Sequence, residues 1–156
     1  MGLPAIYGAL SDVWNATTNP APQSLVPGFK VYHDNSGRIF EFVQANGSIN
    51  QYDAVKRDPS VTTAGYVIST AAVGDAIEGT NDQSGGNRVS GDQFWITFSG
   101  DCTINLAASI SAGKLLGASA TGGTLQAASA SNIDHIRSVA LAASGGGGGA
   151  TACRLY

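Results

Sequence analysis

The 156-residue chain reads as an all-β protein: a compact β-sandwich or barrel-like domain with glycine-rich hairpins, preceded by an N-terminal arm with a short helix. Three observations predict this. Short segments rich in Val, Ile, Phe and Tyr recur from Phe29 onward, the composition of strands. Between them stand glycine-bearing breaks, "NSG", "SGG", "SGD", "AGK" and "TGG", at the short intervals that turns require. Four of the five prolines fall in the first 28 residues, which sets residues 1–28 apart as an arm and leaves residues 29–156 as the β domain.

In the arm, Leu3, Ile6, Tyr7, Leu10, Val13 and Trp14 recur at spacings of three and four, with Pro4 placed for a first turn. That stripe predicts an amphipathic helix, weakened by Gly8. An isolated helix of about a dozen residues is marginal in water, so it must dock, either on its own domain or on a partner. "TTNPAPQSLVPG" then reads as an extended linker.

From Phe29 the pattern becomes β. "FKVYHD" and "RIFEFVQA", joined by "NSG", predict a hairpin. "SINQYDAVK" reads as the next strand, followed by "GYVIST", "DQFWITFSG", "CTINLAAS", "GKLLGAS", "GTLQAAS" and "RSVALAAS". "ASASNIDHIRSV" is the one place in this region where Ser131 or Asn132 suits the cap of a single helical turn. The run "SGGGGGATACRLY" lacks the Lys and the Ser or Thr of a phosphate-binding loop. Cys153 and Leu155 alternate with Arg154 and Tyr156, so the glycines read as a mobile hairpin tip before a closing strand.

The inventory of reactive groups argues against catalysis. There are two histidines and two glutamates, Glu41 and Glu78, and the aspartates show no catalytic spacing. Asp134, His135 and Ser138 are close in sequence, but near neighbours rarely reach the geometry of a nucleophile, its base and the group that orients it. Cys102 and Cys153 form no CxxC and stand far from His33 and His135, which points to free thiols rather than a zinc site or a disulfide framework. "TNDQSGGN" and "SGD" lack the acidic alternation of a calcium loop. No catalytic residue, cofactor or metal ligand is assigned.

Charge and hydropathy narrow the partners. The eight Lys and Arg are scattered, Lys56-Arg57 apart, and the net charge is -3, so nucleic acid is not expected as a partner. No stretch has the roughly 18 to 20 apolar residues of a membrane span, and the N-terminus lacks the form of a signal peptide; synthesis in a cytoplasm is the expectation. Charged residues make up only 12% of the chain, against about 25% in an average soluble domain. Such a surface suits an assembly better than a solitary monomer.

The succession "RVSGDQFWITFSGDCTINLAA", "ISAGKLLGASATGGTLQAASA" and "RSVALAASGGGGGATACRLY" resembles the head decoration, or capsid cement, proteins of tailed bacteriophages. The features that carry the resemblance are Gly91-Asp92 with Ser99-Gly100, Ala112 to Leu115 with Ser119 to Leu125, and Val139 to Leu141 with Ala150 to Tyr156. It covers roughly residues 65–156 and rests on glycine turns and small residues; Lys114 stands where an acidic residue is common, and "RSVAL" lacks a glycine before its Ala-Leu pair. The resemblance implies a virion protein, synthesised in the host cytoplasm, that sits on the outer surface of an icosahedral head. The implied partners are the major capsid protein and sister copies in a homotrimer. Leu3, Ile6, Tyr7, Leu10, Val13 and Trp14 are the expected capsid or subunit contacts, Tyr7 and Trp14 being the aromatic anchors. The other reading is a β-sandwich adhesion or glycan-binding module of a phage tail or fibre, with its Ser, Thr, Asn and Gln side chains lining the binding surface.

Overall fold

The computed structural model describes residues 9–33, 36–83, 85–129 and 137–156. Among these residues the chain is all β, with no helix. The strands are β1 (Val13–Asn15), β2 (Lys30–His33), β3 (Arg38–Ala45), β4 (Ala54–Arg57), β5 (Tyr66–Ser69), β6 (Gly79–Thr80), β7 (Asp92–Leu106), β8 (Leu115–Ala118), β9 (Leu125–Ala127), β10 (Ser138–Ala140) and β11 (Gly149–Leu155). They hydrogen-bond into one eleven-stranded sheet.

The 15-residue strand β7 organises that sheet. Its first half pairs antiparallel with β3, from Gln44↔Gln93 to Ile39↔Ser99. Its second half pairs antiparallel with β11, from Leu155↔Gly100 to Gly149↔Leu106. From β3 the ladder returns to β7 through β5, β4 and β6. From β11 it returns through β10, β8 and β9. Two circuits of strands therefore close on one shared strand.

The sequence suggests two strands where β7 runs unbroken, because Ser99-Gly100 resembles a turn. Gly100 instead lies inside the strand at φ +102°, and a Cβ there would stand 2.8 Å from Arg38 Cγ. The register with β3 shifts at Ile39/Phe40, leaving Phe98 without an opposite residue. Glycine and bulge together admit Arg38, and pairing continues past them.

Alternation along β7 sorts the core. Phe94 and Ile96 join Val43, Ala45, Ile49, Val55 and Val67 in the first circuit. Trp95 points to the opposite face with Phe40, Phe42 and Leu25. Cys102, Ile104 and Leu106 join Leu116, Leu125, Cys153 and Leu155 in the second circuit. A period of two thus serves three clusters from one strand.

The predicted arm helix is absent from the described residues, and Met1 to Gly8, with Leu3, Ile6 and Tyr7, lie outside them. Over the part that is described, a turn closes from Asp12 N–H to Ala9 O at 3.0 Å, and Val13 and Trp14 lie in β1, paired with Phe94 and Gln93. Val13 packs against the first-circuit core while Trp14 packs on the Trp95 face, the opposed directions of a strand. Spacings of three and four fit a turn followed by a strand as well as they fit a helix. Ladder bonds to β7 and two apolar contacts outweigh the weak propensity of so short a helix.

The β2–β3 hairpin forms, in register from Lys30↔Glu41 to His33↔Arg38. "SINQYDAVK" is strand only from Ala54 onward, where β4 begins, because Asn50 N–H donates to Asp53 Oδ2 at 2.8 Å and turns the preceding residues. At the C-terminus β10 and β11 pair antiparallel around the pentaglycine. That loop is anchored at its start, where Ser144 Oγ donates to Ala107 O at 2.8 Å and accepts from Ile110 N–H at 2.9 Å. The helical turn suggested around "SNIDHI" lies outside the described residues.

Candidate functional site

Of the six predicted contact residues, Leu10, Val13 and Trp14 are described, and all three pack partly buried against the chain's own core. Trp14 meets Phe42 edge-on, with ring centroids 5.7 Å apart at 72°, and Phe42 in turn meets Trp95 at 5.3 Å. Leu25, Ala21, Phe29 and Val31 complete the cover over Phe40, Phe42 and Trp95. Residues 9–29 therefore shield an aromatic face of the β3–β7 ladder.

A second apolar surface has no cover among the described residues. In β10 the small Ser138 and Ala140 are buried, and in β8 Leu116 is fully buried. Their larger neighbours point the other way: Leu115 is 52% exposed and Leu141 43% exposed, with Val139 paired to both Leu115 and Arg154. Ala152 extends the patch, accepting from Leu141 N–H at 2.9 Å. A strand that buries its small residues and exposes its large ones presents a surface suited to contact. Leu115 beside Leu116 carried this signal, since neighbours on a strand face opposite ways.

A buried charged group with a shifted carboxyl lies on β3. Glu41 of β3 is 3% exposed. Lys30 Nζ of β2 lies 3.2 Å from its Oε2 and 4.0 Å from Glu78 Oε1. Burial, with the Glu78 carboxylate second, pushes the Glu41 carboxyl up to about 7, against the pull of Lys30. Lys30 also stands 4.2 Å from the centroid of Phe98, whose ring carries Arg137 as well, at 4.5 Å. Arg137 donates to the carbonyls of Ile77 at 2.9 Å, Phe98 at 3.2 Å and Tyr156 at 2.9 Å. One guanidinium thus joins β7, the approach to β6 and the end of β11.

Beside Glu78 opens a cleft of about 360 Å³ lined by Lys56, Arg57, Pro59, Asp75 and Ala76. Lys56 donates to Asp75 at 2.8 Å. Burial opposes the charge of Asp75, but the N–H groups of Ala71 and Ala72 together with Lys56 outweigh it and hold its carboxyl below the usual range. Both thiols are free and buried; burial pushes Cys153 up to about 12 and Cys102 higher still, so neither is a thiolate at neutral pH. Among the described residues no group of three His, Cys, Asp or Glu is arranged to hold a metal ion. Asp134 and His135 lie outside those residues, and Ser138 is buried with its Oγ donating to Leu116 O at 3.3 Å.

No protein-family model and no curated protein matches the sequence. Among solved structures, the fold is similar to that of the head fiber gp8.5 N base in bacteriophage phi29, with a TM-score of 0.57. The likeness covers 76% of this chain and 94% of that one at 12% sequence identity. At that identity what the two share is the fold.

Proposed function

We propose that this chain is a structural protein of a tailed-bacteriophage virion that binds the outer surface of the icosahedral head and stabilises the expanded shell. The observation that carries the reading is the fold likeness to a phage head fiber base. The sequence resemblance to head decoration proteins and the low charge support it. In this reading each circuit of the sheet is a small barrel-like body. The exposed face with Leu115, Val139 and Leu141 meets the major capsid protein, and Leu3, Ile6 and Tyr7 reach a capsid subunit or a sister copy in a trimer. A protein that binds the expanded lattice and not its precursor stabilises the expanded state by linkage. Repetition over the lattice multiplies modest contacts, and no turnover is involved.

Co-sedimentation of the purified chain with expanded and precursor shells tests this. Saturable, symmetric occupancy on expanded shells is expected. The double change Leu115→Asp and Leu141→Asp, on outward positions, should weaken it about ten-fold or more, since charges on a contact face are costly to desolvate. Full occupancy by that variant would remove the face from the account. Removing residues 1–8 tests the arm. Removing residues 1–28 would strip the cover from Trp95 and confound binding with folding.

A second reading, a fibre or tail module for adhesion or glycan binding, is favoured by the same neighbour, a fiber base. Binding to glycans without shells would select it. Occupancy across the whole lattice would select the first.

A further inference from the structure

Glu41 stands on the apolar face of β3, sharing its direction with Val43 and Ala45 of the first-circuit core. Glu78 lies against it, and the ammonium that serves both is Lys30. Two of the other charged groups around the pair are committed, and the third points to solvent. Arg137, from the approach to β10, gives its protons to the carbonyls of Ile77, Glu78, Phe98 and Tyr156. Lys56 of β4 is matched to Asp75, and Arg57, also of β4, is exposed on the cleft rim. From β7 the pair meets Ile96, directly opposite Glu41, and the ring of Phe98, over which Lys30 lies; neither titrates. Two carboxylates therefore share one ammonium, and Glu41 is the buried member of the three.

We propose that Glu41, Glu78 and Lys30 form a proton-operated clasp, shut while the two carboxyls share a proton and loosened when that proton leaves. The clasp joins β2 and β3 to the chain entering β6, the place where Arg137 brings in the second circuit. This holds whatever the virion partner is, so it stands or falls apart from the function proposed above.

The sign follows from linkage. The folded chain holds the Glu41 proton up to about pH 7, whereas the ordinary glutamate value is 4.5. Between those values the folded state binds more protons than the unfolded one, so stability falls as the pH rises. The contribution is fully present below the ordinary value and is lost as the pH passes the folded one.

Side-chain NMR of labelled glutamates in the full chain, with amide exchange corrected for intrinsic rates, tests the clasp. Glu41 should titrate near neutrality. Protection at residues 30–33 and 77–80 should fall about ten-fold or more between about pH 5.5 and about pH 8.5, while β8 and β9 stay unchanged. Glu41→Gln, which mimics the protonated acid, should abolish that fall. If Glu41→Gln does not fold, Glu78→Gln remains: it should lower the Glu41 titration and flatten the protection profile. A Glu41 that titrates in the ordinary range, or protection that is flat with pH in the unaltered chain, overturns the proposal. So does a Glu78→Gln variant in which neither property changes.

Discussion

The two circuits that meet at β7 bury different chemistry. The first half of the chain encloses Phe40, Phe42, Phe94 and Trp95, with Trp14 and Phe29 packed over them, and also buries Glu41, Asp53, Asp58 and Arg88. Among the described residues the cluster of the second circuit is aliphatic, Ala and Cys, without an aromatic ring. Among the described residues beyond Leu106 the buried polar ones are hydroxyls: Ser119, Ser138, Ser144 and Thr151. A buried charge needs its partners placed. Asp53, for one, accepts from Asn50 N–H at 2.8 Å, Ser69 Oγ at 2.8 Å and Asn105 Nδ2 at 3.3 Å. Small aliphatic side chains on short strands need only the right volume and alternation. The first half is thus held by particular fits and the second by burial and turn chemistry, so a single substitution should be felt more in the first.

The largest expected break is at Gly65, where the loop before β5 crosses the arm. Its φ is +82°, and a Cβ would lie 2.1 Å from Gly28 N and 2.3 Å from the Pro27 carbonyl carbon. Both obstacles are backbone, so nothing can rotate away. Gly65→Ala should cost about 3 kcal/mol or more, from left-handed strain plus overpacking, read as a shift in the urea midpoint. A variant with the original midpoint would show that the arm is not seated against this loop.

Of similar size is the loss of the aromatic face. Trp95→Ala removes a fully buried ring between Phe42 and Phe29 and should cost about 3–5 kcal/mol. Ile104→Val, at an equally buried site of the second circuit, should cost about 1 kcal/mol. Trp14→Ala, on a half-buried covering ring, should fall between them at about 2 kcal/mol. A Trp95→Ala variant with the original midpoint would show that the aromatic face is not held by a particular fit.

The same contrast governs what could be read in advance. The hairpins β2–β3 and β10–β11 are legible because each is a local pattern: alternating residues on both sides of a glycine-bearing turn. The unity of β7 is not, because Gly100 is there for Arg38, a residue far back in the chain that sequence spacing does not bring near. The strand at Val13–Asn15, in place of the expected helix, is hidden for a different reason, since Leu10, Val13 and Trp14 satisfy two periodicities and only β7, by offering a pairing edge, decides between them. Glu41 did leave a trace: in "RIFEFVQA" it shares its parity with Val43 and Ala45, which puts a charge on an apolar face. Its partner Glu78 is remote in sequence, and no local pattern links them. The exposed Leu115 and Leu141 were readable from alternation alone, once Ser138 and Ala140 are seen to take the inward positions.

The smallest effect sharpens the comparison from the other side. On the outward face of the second circuit Arg154 grips Asp101 through Nε at 2.6 Å and Nη2 at 3.0 Å, across paired strands β7 and β11. The Arg154 hydrogen bonds hold the Asp101 carboxyl below the usual carboxylate range, so the pair is charged at neutral pH. Both side chains are open to water, at 48% and 57% exposure. There solvent screening and the entropy of fixing a long side chain offset most of the attraction. Asp101→Ala should leave the urea midpoint at neutral pH unchanged within error, with or without added salt. A clear loss of stability that salt abolishes would mean that the second circuit, too, depends on a specific pair, and the division between fitted and merely buried halves would no longer hold.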